Sequence, residues 1–467
     1  MESRLHQPFL STLTSTTTES SLRRPNYWTS NPSSLISSCN ISSVLLGTGA
    51  SIYHSIAPII NATEHELILV TCFWARSASL DVLRECLLHL SDKGLMAGSR
   101  IRVRICLSSV GLLQKLFHTQ SLHGYVYPAE AWEGKLGLPK PGELQGLDLQ
   151  VKSIFVKPFS VMHPKFIVVD RKRVLLPSCN VSWEDWFEGC IGLTGVVVGQ
   201  FVEFWQRFWI HTKDDLRLEG VSIDGGDLPF DVSTGGNLPA QINVNSTDTP
   251  CVFLPSPHNI DPKFRLPWQG AALPPNTPLN VFLLAAFKTA HRSVYIQTPN
   301  LTSPPVLSAL LDMMNRGVDL HIVTSERLMI LEQLVTAGTT TSRCVKKLIK
   351  RCEKKQLKKR ENVDGAAEEG RAFISGRLTV EYYEPSKEDS GGDRFGKEPV
   401  QSHLKLTIVD EELVVLGSGN LDRASWYTSQ ELGVAFYSKD LASGLHGTLG
   451  KILETRKKLV YDSGEAT

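Results

Sequence analysis

The chain of 467 residues repeats itself. The stretch HPKFIVVDRKRVLLPSCN, beginning at His163, returns as HLKLTIVDEELVVLGSGN at His403. Five residue types fall at identical offsets: His163, Lys165, Asp170, Ser178 and Asn180 in the first copy, His403, Lys405, Asp410, Ser418 and Asn420 in the second. At average usage each match is an accident of about one in twenty, so five in register exclude chance. Ser182-Trp183 leads to Glu188 as Ser425-Trp426 leads to Glu431, with the first copy shorter between its Asn and its Ser-Trp.

The segments upstream repeat in the same order. SIYHSIAPIINAT predicts a helix and LILVTCFW a buried strand. LDVLRECLLHLSDKG predicts a second helix stopped by Gly94, and RIRVRICLSS a second strand. The later series is NVFLLAAFKTAHR, VYIQTPNL, PVLSALLDMMNRG with Gly317 as the stop, and VDLHIVTSE. Thr71 and Thr298 take matching places, and LDLQVKSIF and LTVEYYE are the returning strands. This alternation predicts an α/β protein of two similar halves, each a mixed sheet flanked by helices, packed about a pseudo-twofold axis. The expected divisions are a Ser/Thr-rich tail over 1–45, a first half over 46–220, a linker over 221–250 rich in Gly, Pro, Asn and Ser, and a second half over 251–461. EDSGGDRFGKEP reads as a loop ahead of the second motif.

Lys plus Arg exceed Asp plus Glu by one, so no global field draws the chain to nucleic acid or an anionic membrane; basic surface must be local. The nine cysteines are scattered without a C-x-x-C pair, which predicts free thiols in a reduced, intracellular protein and argues against a thiolate zinc site. No apolar run reaches the ~18 residues of a membrane span, and no secretory signal opens the chain. The sequons at Asn61 and Asn300 therefore carry little meaning. The N-terminal segment, with Arg4, Arg23 and Arg24 against Glu2 and Glu19, reads as a disordered tail in preference to a weak mitochondrial presequence. The expected location is cytoplasmic or peripheral to a membrane, and the expected state a monomer.

Alternation along VMHPKFIVVD sends His163 and Lys165 to one side of a strand and Phe166 and Val168 to the other. A hairpin turning at Arg171-Lys172 would put Asn180 opposite His163 and Ser178 opposite Lys165; Glu411-Glu412 would do the same for the second copy. An imidazole, an ammonium, a hydroxyl and an amide on one face suit a phosphate. Two such faces complete a site in which one imidazole attacks phosphorus and the other protonates the leaving oxygen, with lysines and amides steadying the charge. No metal or other cofactor is required, and no H-E-x-x-H or cysteine cluster is present.

The paired motif resembles that of the phospholipase D superfamily, and the likeness spans roughly four fifths of the chain. GSGNLDRASWYTSQE is most similar to the phosphatidyltransferase branch that includes cardiolipin synthases. The resemblance implies a phosphohistidine intermediate on His163, with His403 as acid and then base. It implies that Lys165, Lys405, Asn180 and Asn420 hold the phosphate, with Ser178 and Ser418 in the phosphate cradle. Glu188 and Glu431 would fix the histidine tautomers. Asp170 and Asp410, on the opposite strand face, are expected to be structural. Pro177 stands where the family carries the glycine seen at Gly417, which predicts a different cradle around Ser178. Phospholipid is the first expected substrate, and a phosphodiester of DNA or RNA the second.

Three further features remain. RCVKKLIKRCEKKQLKKR carries ten basic residues over 343–360, with Val345, Leu348, Ile349 and Cys352 at helical spacing. It is a basic amphipathic helix, read either as a solvated face or as a contact for anionic lipid or a nucleic-acid backbone. FVEFWQRFW reads as core. LGTGAS reads as a helix start, because no strand is expected before it.

Overall fold

The computed structural model describes residues 2–20, 31–111, 124–156, 160–210, 239–257, 272–365, 375–387 and 397–464. In the first half the strands are β1 (Ile36–Gly47), β2 (Glu66–Phe73), β3 (Ile101–Ser109), β4 (Tyr125–Val126), β5 (Leu147–Ser153), β6 (Phe155–Val156), β7 (Ser160–Val161), β8 (Phe166–Val169), β9 (Arg173–Pro177) and β10 (Trp186–Thr194). The second half supplies β11 (Ala240–Ser256), β12 (Ser293–Thr298), β13 (Asp319–Thr324), β14 (Leu378–Tyr383), β15 (Gln401–Ser402), β16 (Leu406–Val409), β17 (Leu413–Gly417), β18 (Glu431–Tyr437) and β19 (Lys457–Asp462).

The first half runs β5-β3-β2-β8-β9-β10-β1 across its sheet, and the second runs β14-β13-β12-β16-β17-β18-β11. In both, the outer three strands are parallel and the rest antiparallel. Antiparallel pairing of β1 with β11 then joins the two sheets edge to edge at the expected pseudo-axis. Each half is therefore α/β as the repeat requires, and the two share one continuous mixed sheet.

Helices cover both faces because their apolar stripes match the sheet. Gly49–Asn61 and Pro278–Thr289 are equivalent, and each is opened by a threonine hydroxyl, Thr48 or Thr277, accepting a backbone N–H of the first turn. Ile52, Ile56, Leu83 and Leu87 bury against Leu67, Leu69, Val103 and Ile105. FVEFWQRFW lies in the helix Val197–Trp209 and is core as expected, with Phe201 edge-on to Phe166 (5.3 Å) and Phe253 (5.0 Å).

Several expectations are corrected. The N-terminal segment includes the helix Glu2–Ser20, whose Leu5, Phe9 and Leu13 are buried, with Phe9 against Phe282 at 5.4 Å. The first half begins at β1, inside the expected tail, and the end of the expected linker, from Ala240, is β11. The rest of that linker within 211–238, and most of the loop EDSGGDRFGKEP, lie outside the described residues. A strand does precede LGTGAS, although the helix begins there as read. The helix Ala78–Met96 runs past Gly94, while Gly317 (φ 89°) does follow the helix Pro304–Asn315. Gly94 serves a close approach, since a Cβ there would lie 2.3 Å from the Gly146 carbonyl oxygen.

The motif hairpins turn one residue earlier than expected. Asp170 and Arg171 (φ 49° and 55°), and Asp410 and Glu411 (φ 54° and 55°), take the left-handed conformation. The last pairs are Val169 with Arg173 and Val409 with Leu413, so neither Ser178 nor Ser418 stands opposite its lysine. The aspartates explain the shift. Asp170 accepts N–H bonds from Glu64 (2.9 Å), His65 (2.7 Å) and Glu66 (2.8 Å), and Asp410 accepts from His291, Arg292 (2.7 Å) and Ser293 (3.1 Å). Both clamp the turn to the segment that enters the neighbouring strand.

Candidate active site

The segment before each motif histidine leaves its own sheet and pairs with the other half. His163 N–H donates to the Gln430 carbonyl (3.0 Å), and Gln430 N–H to Val161 (2.8 Å). His403 N–H donates to Phe187 (2.9 Å), where β15 runs parallel to the start of β10. Gln430 and Phe187 immediately precede the two motif glutamates. These backbone bonds therefore set each imidazole beside the glutamate of the opposite copy.

The side chains complete the exchange. His163 Nδ1 lies 2.8 Å from Glu431 Oε2, and His403 Nδ1 lies 2.7 Å from Glu188 Oε1. A carboxylate at Nδ1 selects the tautomer with the proton there and leaves Nε2 as the reactive nitrogen. Lys165 Nζ donates to the His163 carbonyl (2.9 Å) and Lys405 Nζ to the His403 carbonyl (2.6 Å), which leaves two of each ammonium's three hydrogens for a ligand. Both lysines are buried, so their charge acts with little screening.

The serines stand behind the glutamates, away from the expected phosphate cradle. Ser178 Oγ donates to Glu188 Oε2 and accepts from Gly189 N–H (2.9 Å). Ser418 Oγ donates to Glu431 Oε2 (2.5 Å) and accepts from Leu432 N–H (3.0 Å). Each hydroxyl thus orients a carboxylate. Pro177 does not disturb this arrangement: Ser178 N–H reaches the Gly189 carbonyl (2.7 Å) just as Ser418 N–H reaches that of Leu432 (2.9 Å).

The asparagines differ. Asn180 Oδ1 accepts from Phe73 N–H (3.3 Å), so its amide nitrogen is left for a ligand. Asn420 Nδ2 donates to Asp422 (3.2 Å), and its Oδ1 is buried with no hydrogen-bond partner among the described residues.

Burial drives the His403 imidazole down to about 3, against the pull of Glu188 and helped by Lys405. Burial likewise lowers His163. It lowers the Lys405 ammonium to about 7, despite Glu188. Burial alone would raise both glutamates, but the facing histidine and nearby lysine outweigh it and hold each below the usual carboxylate range. His163 feels the charges of Lys165 and Lys405, and so does His403, so the two motifs form one electrostatic cluster.

Sequence reasoning missed three participants. Trp186 packs on the His403 ring with centroids 4.7 Å apart. Asp422 is buried and caps the helix Arg423–Tyr427, and burial raises its carboxyl. Ser425 Oγ gives Glu431 a further hydrogen bond (2.7 Å). The Asp in NLDRAS three residues before Ser425 was the available signal for this cap. Among the described residues no group of three or more His, Cys, Asp or Glu is placed to hold a metal ion.

A family model described as a cardiolipin synthase, PLD-like domain matches residues 283–452. Among solved structures, a phosphatidylserine synthase of Haemophilus influenzae aligns over 91% of this chain and 89% of its own, with 13% identity and a TM-score of 0.54. Nuc of Salmonella typhimurium, a phospholipase D family member, aligns over 39% of this chain and 90% of its own, with 19% identity and a TM-score of 0.25. NucT of Helicobacter pylori aligns over 37% and 86%, with 14% identity and a TM-score of 0.24. A search of the curated proteins finds no match. Residues 283–452 therefore match a PLD-like domain of the cardiolipin synthase type, and the chain as a whole shares the fold of the phosphatidylserine synthase.

Proposed function

We propose that the protein transfers or hydrolyses the phosphatidyl group of a phospholipid through a phosphohistidine. The carrying observation is the reciprocal pairing of His163 with Glu431 and His403 with Glu188, which prepares two Nε2 atoms in one cluster for opposite roles. His163 Nε2 attacks phosphorus, and the bond to the leaving oxygen breaks as that oxygen takes a proton from His403. Water or an alcohol then gives its proton to His403 while its oxygen displaces His163. The lysines and Asn180 hold the non-bridging oxygens. An arriving phosphodiester anion offsets the burial that lowers His403, and so charges the acid when it is needed.

The likeness of the second half to the cardiolipin synthase family, and of the fold to a phosphatidylserine synthase, supports a phospholipid in preference to a nucleic acid. The test offers purified protein a phospholipid with glycerol or a primary alcohol beside a labelled oligonucleotide. Consumption of the phospholipid is expected; cleavage of the oligonucleotide alone would overturn the substrate assignment.

A further inference from the structure

The helix Ile330–Ala337 is turned inside out. Its single buried residue is Gln333, whose amide nitrogen donates to Asn300 Oδ1 (2.7 Å) and the Leu328 carbonyl (2.6 Å), while its oxygen accepts from Thr341 N–H (2.6 Å). These bonds pin a polar side inward. Outward face Met329, Ile330, Leu331, Leu334 and Val335, with Leu331 80% and Val335 60% exposed. One apolar side chain in water is ordinary, but five within seven positions form a patch that calls for a partner.

Next along the chain, the helix Thr341–Gly365 buries Val345, Leu348 and Cys352, and the structure describes its side chains through Lys354. Arg343, Lys346, Lys347, Lys350, Arg351 and Lys354 are exposed, and Glu332 and Glu353 are the acids among the described side chains of the two helices. A cavity of about 540 Å³ opens where these helices meet Pro304–Asn315. Leu307, Leu334 and Leu348 supply its apolar wall, and Lys347, Arg351 and Arg423 its positive charge.

We propose that the face made by Ile330–Ala337 and the exposed side of Thr341–Lys354 docks on an anionic phospholipid bilayer. Apolar side chains beside a cationic helix match the two layers of a membrane surface, acyl chains beneath charged headgroups. A nucleic-acid backbone would satisfy the lysines and leave Leu331 and Val335 in water. No helix among the described residues is long and apolar enough to cross a bilayer. The face deepens the proposed phospholipid reading, and rests on it only for the link between docking and turnover.

The test is co-sedimentation of the full chain with vesicles of phosphatidylcholine alone or mixed with phosphatidylglycerol. Binding to the anionic vesicles is expected, weakening as salt rises. Leu331→Ser with Val335→Ser should reduce it roughly tenfold. Lys346→Gln with Lys347→Gln and Lys350→Gln should reduce it roughly fivefold per charge. Thermal melting and turnover of a soluble phosphodiester should stay unchanged in both, because none of these residues touches the histidine cluster. Unchanged vesicle binding in either variant overturns the proposal, as does loss of oligonucleotide binding or of self-association without loss of vesicle binding. Should the wild type sediment through these residues yet consume no phospholipid, the docking face stands and the substrate reading fails. Should it consume phospholipid while both variants sediment undiminished, the substrate reading stands and the docking face fails.

Discussion

The two motif copies share every chemical side chain and differ in how deeply they bury it. The His163 side chain is 15% exposed and that of His403 3%, with Trp186 packed at a tilt against the second ring. Trp426 is buried where its counterpart Trp183 is 60% exposed, and Asn420 is tied to Asp422 where the Asn180 amide oxygen is held by Phe73 N–H. A duplicated motif therefore need not give a duplicated role. The accessible copy suits the nucleophile that a substrate must reach, and the enclosed copy suits the proton carrier, which exchanges its proton with the leaving and entering oxygens and not with bulk solvent.

The sharpest way to break this assignment is to remove each ring in turn. His163→Ala and His403→Ala should each lower turnover roughly 10⁴-fold or more. With a substrate whose leaving group needs no proton, His403→Ala should still form a phosphoenzyme, and His163→Ala none. Mass spectrometry locating the label on His403 would reverse the roles.

The carboxylates come next. Glu431→Gln and Glu188→Gln should each cost roughly 10²-fold in kcat. Burial lowers His163 from 6.5, so the acid limb of kcat/KM should lie below pH 6.5. Glu431 favours the imidazolium; removing its charge lowers His163 further, so the limb moves to still lower pH in Glu431→Gln. A limb that moves upward instead would contradict the crossed pairing.

The clamps should act on stability alone, and equally. Asp170→Ala and Asp410→Ala each strand three backbone N–H groups, which should cost about 2–4 kcal/mol in denaturant unfolding. Activity per folded molecule should be kept. The smallest effect separates Pro177 from Gly417. A Cβ at 417 would meet the Leu432 carbonyl oxygen at 2.3 Å, so Gly417→Ala should destabilise by at least about 1 kcal/mol, while Pro177→Gly should cost about 1 kcal/mol or less. Equal losses would mean that the two strand ends are packed alike.

Much of this was legible in the sequence because repetition fixes order. The helix and strand series, the two-half sheet and the buried stripe of the basic helix follow from spacing alone, whereas alternation puts Asp170 and Asp410 on a strand face and the structure puts them in the turns. β1 was hidden because ISSCNISSVLLG opens like the Ser/Thr-rich tail before it, and β11 because its polar first half resembles a linker. The Leu5, Phe9, Leu13 stripe did signal a helix, but Ser, Thr and Pro8 masked it. The exchange of glutamates was beyond sequence. Spacing pairs a histidine with the glutamate downstream in its own copy, and only the backbone bonds to Gln430 and Phe187 bring in the other. The exposed apolar helix was equally hidden, because ILEQLVTA looks like any core segment until Gln333 is seen to be its inward side.

The edge-to-edge union of β1 with β11 has a consequence for taking the molecule apart. Severed there, each lobe would present a bare hydrogen-bonding rim and hold one imidazole without its carboxylate. A gene split between β10 and β11 should therefore yield two fragments that are silent alone and that recover turnover by complementation when coexpressed.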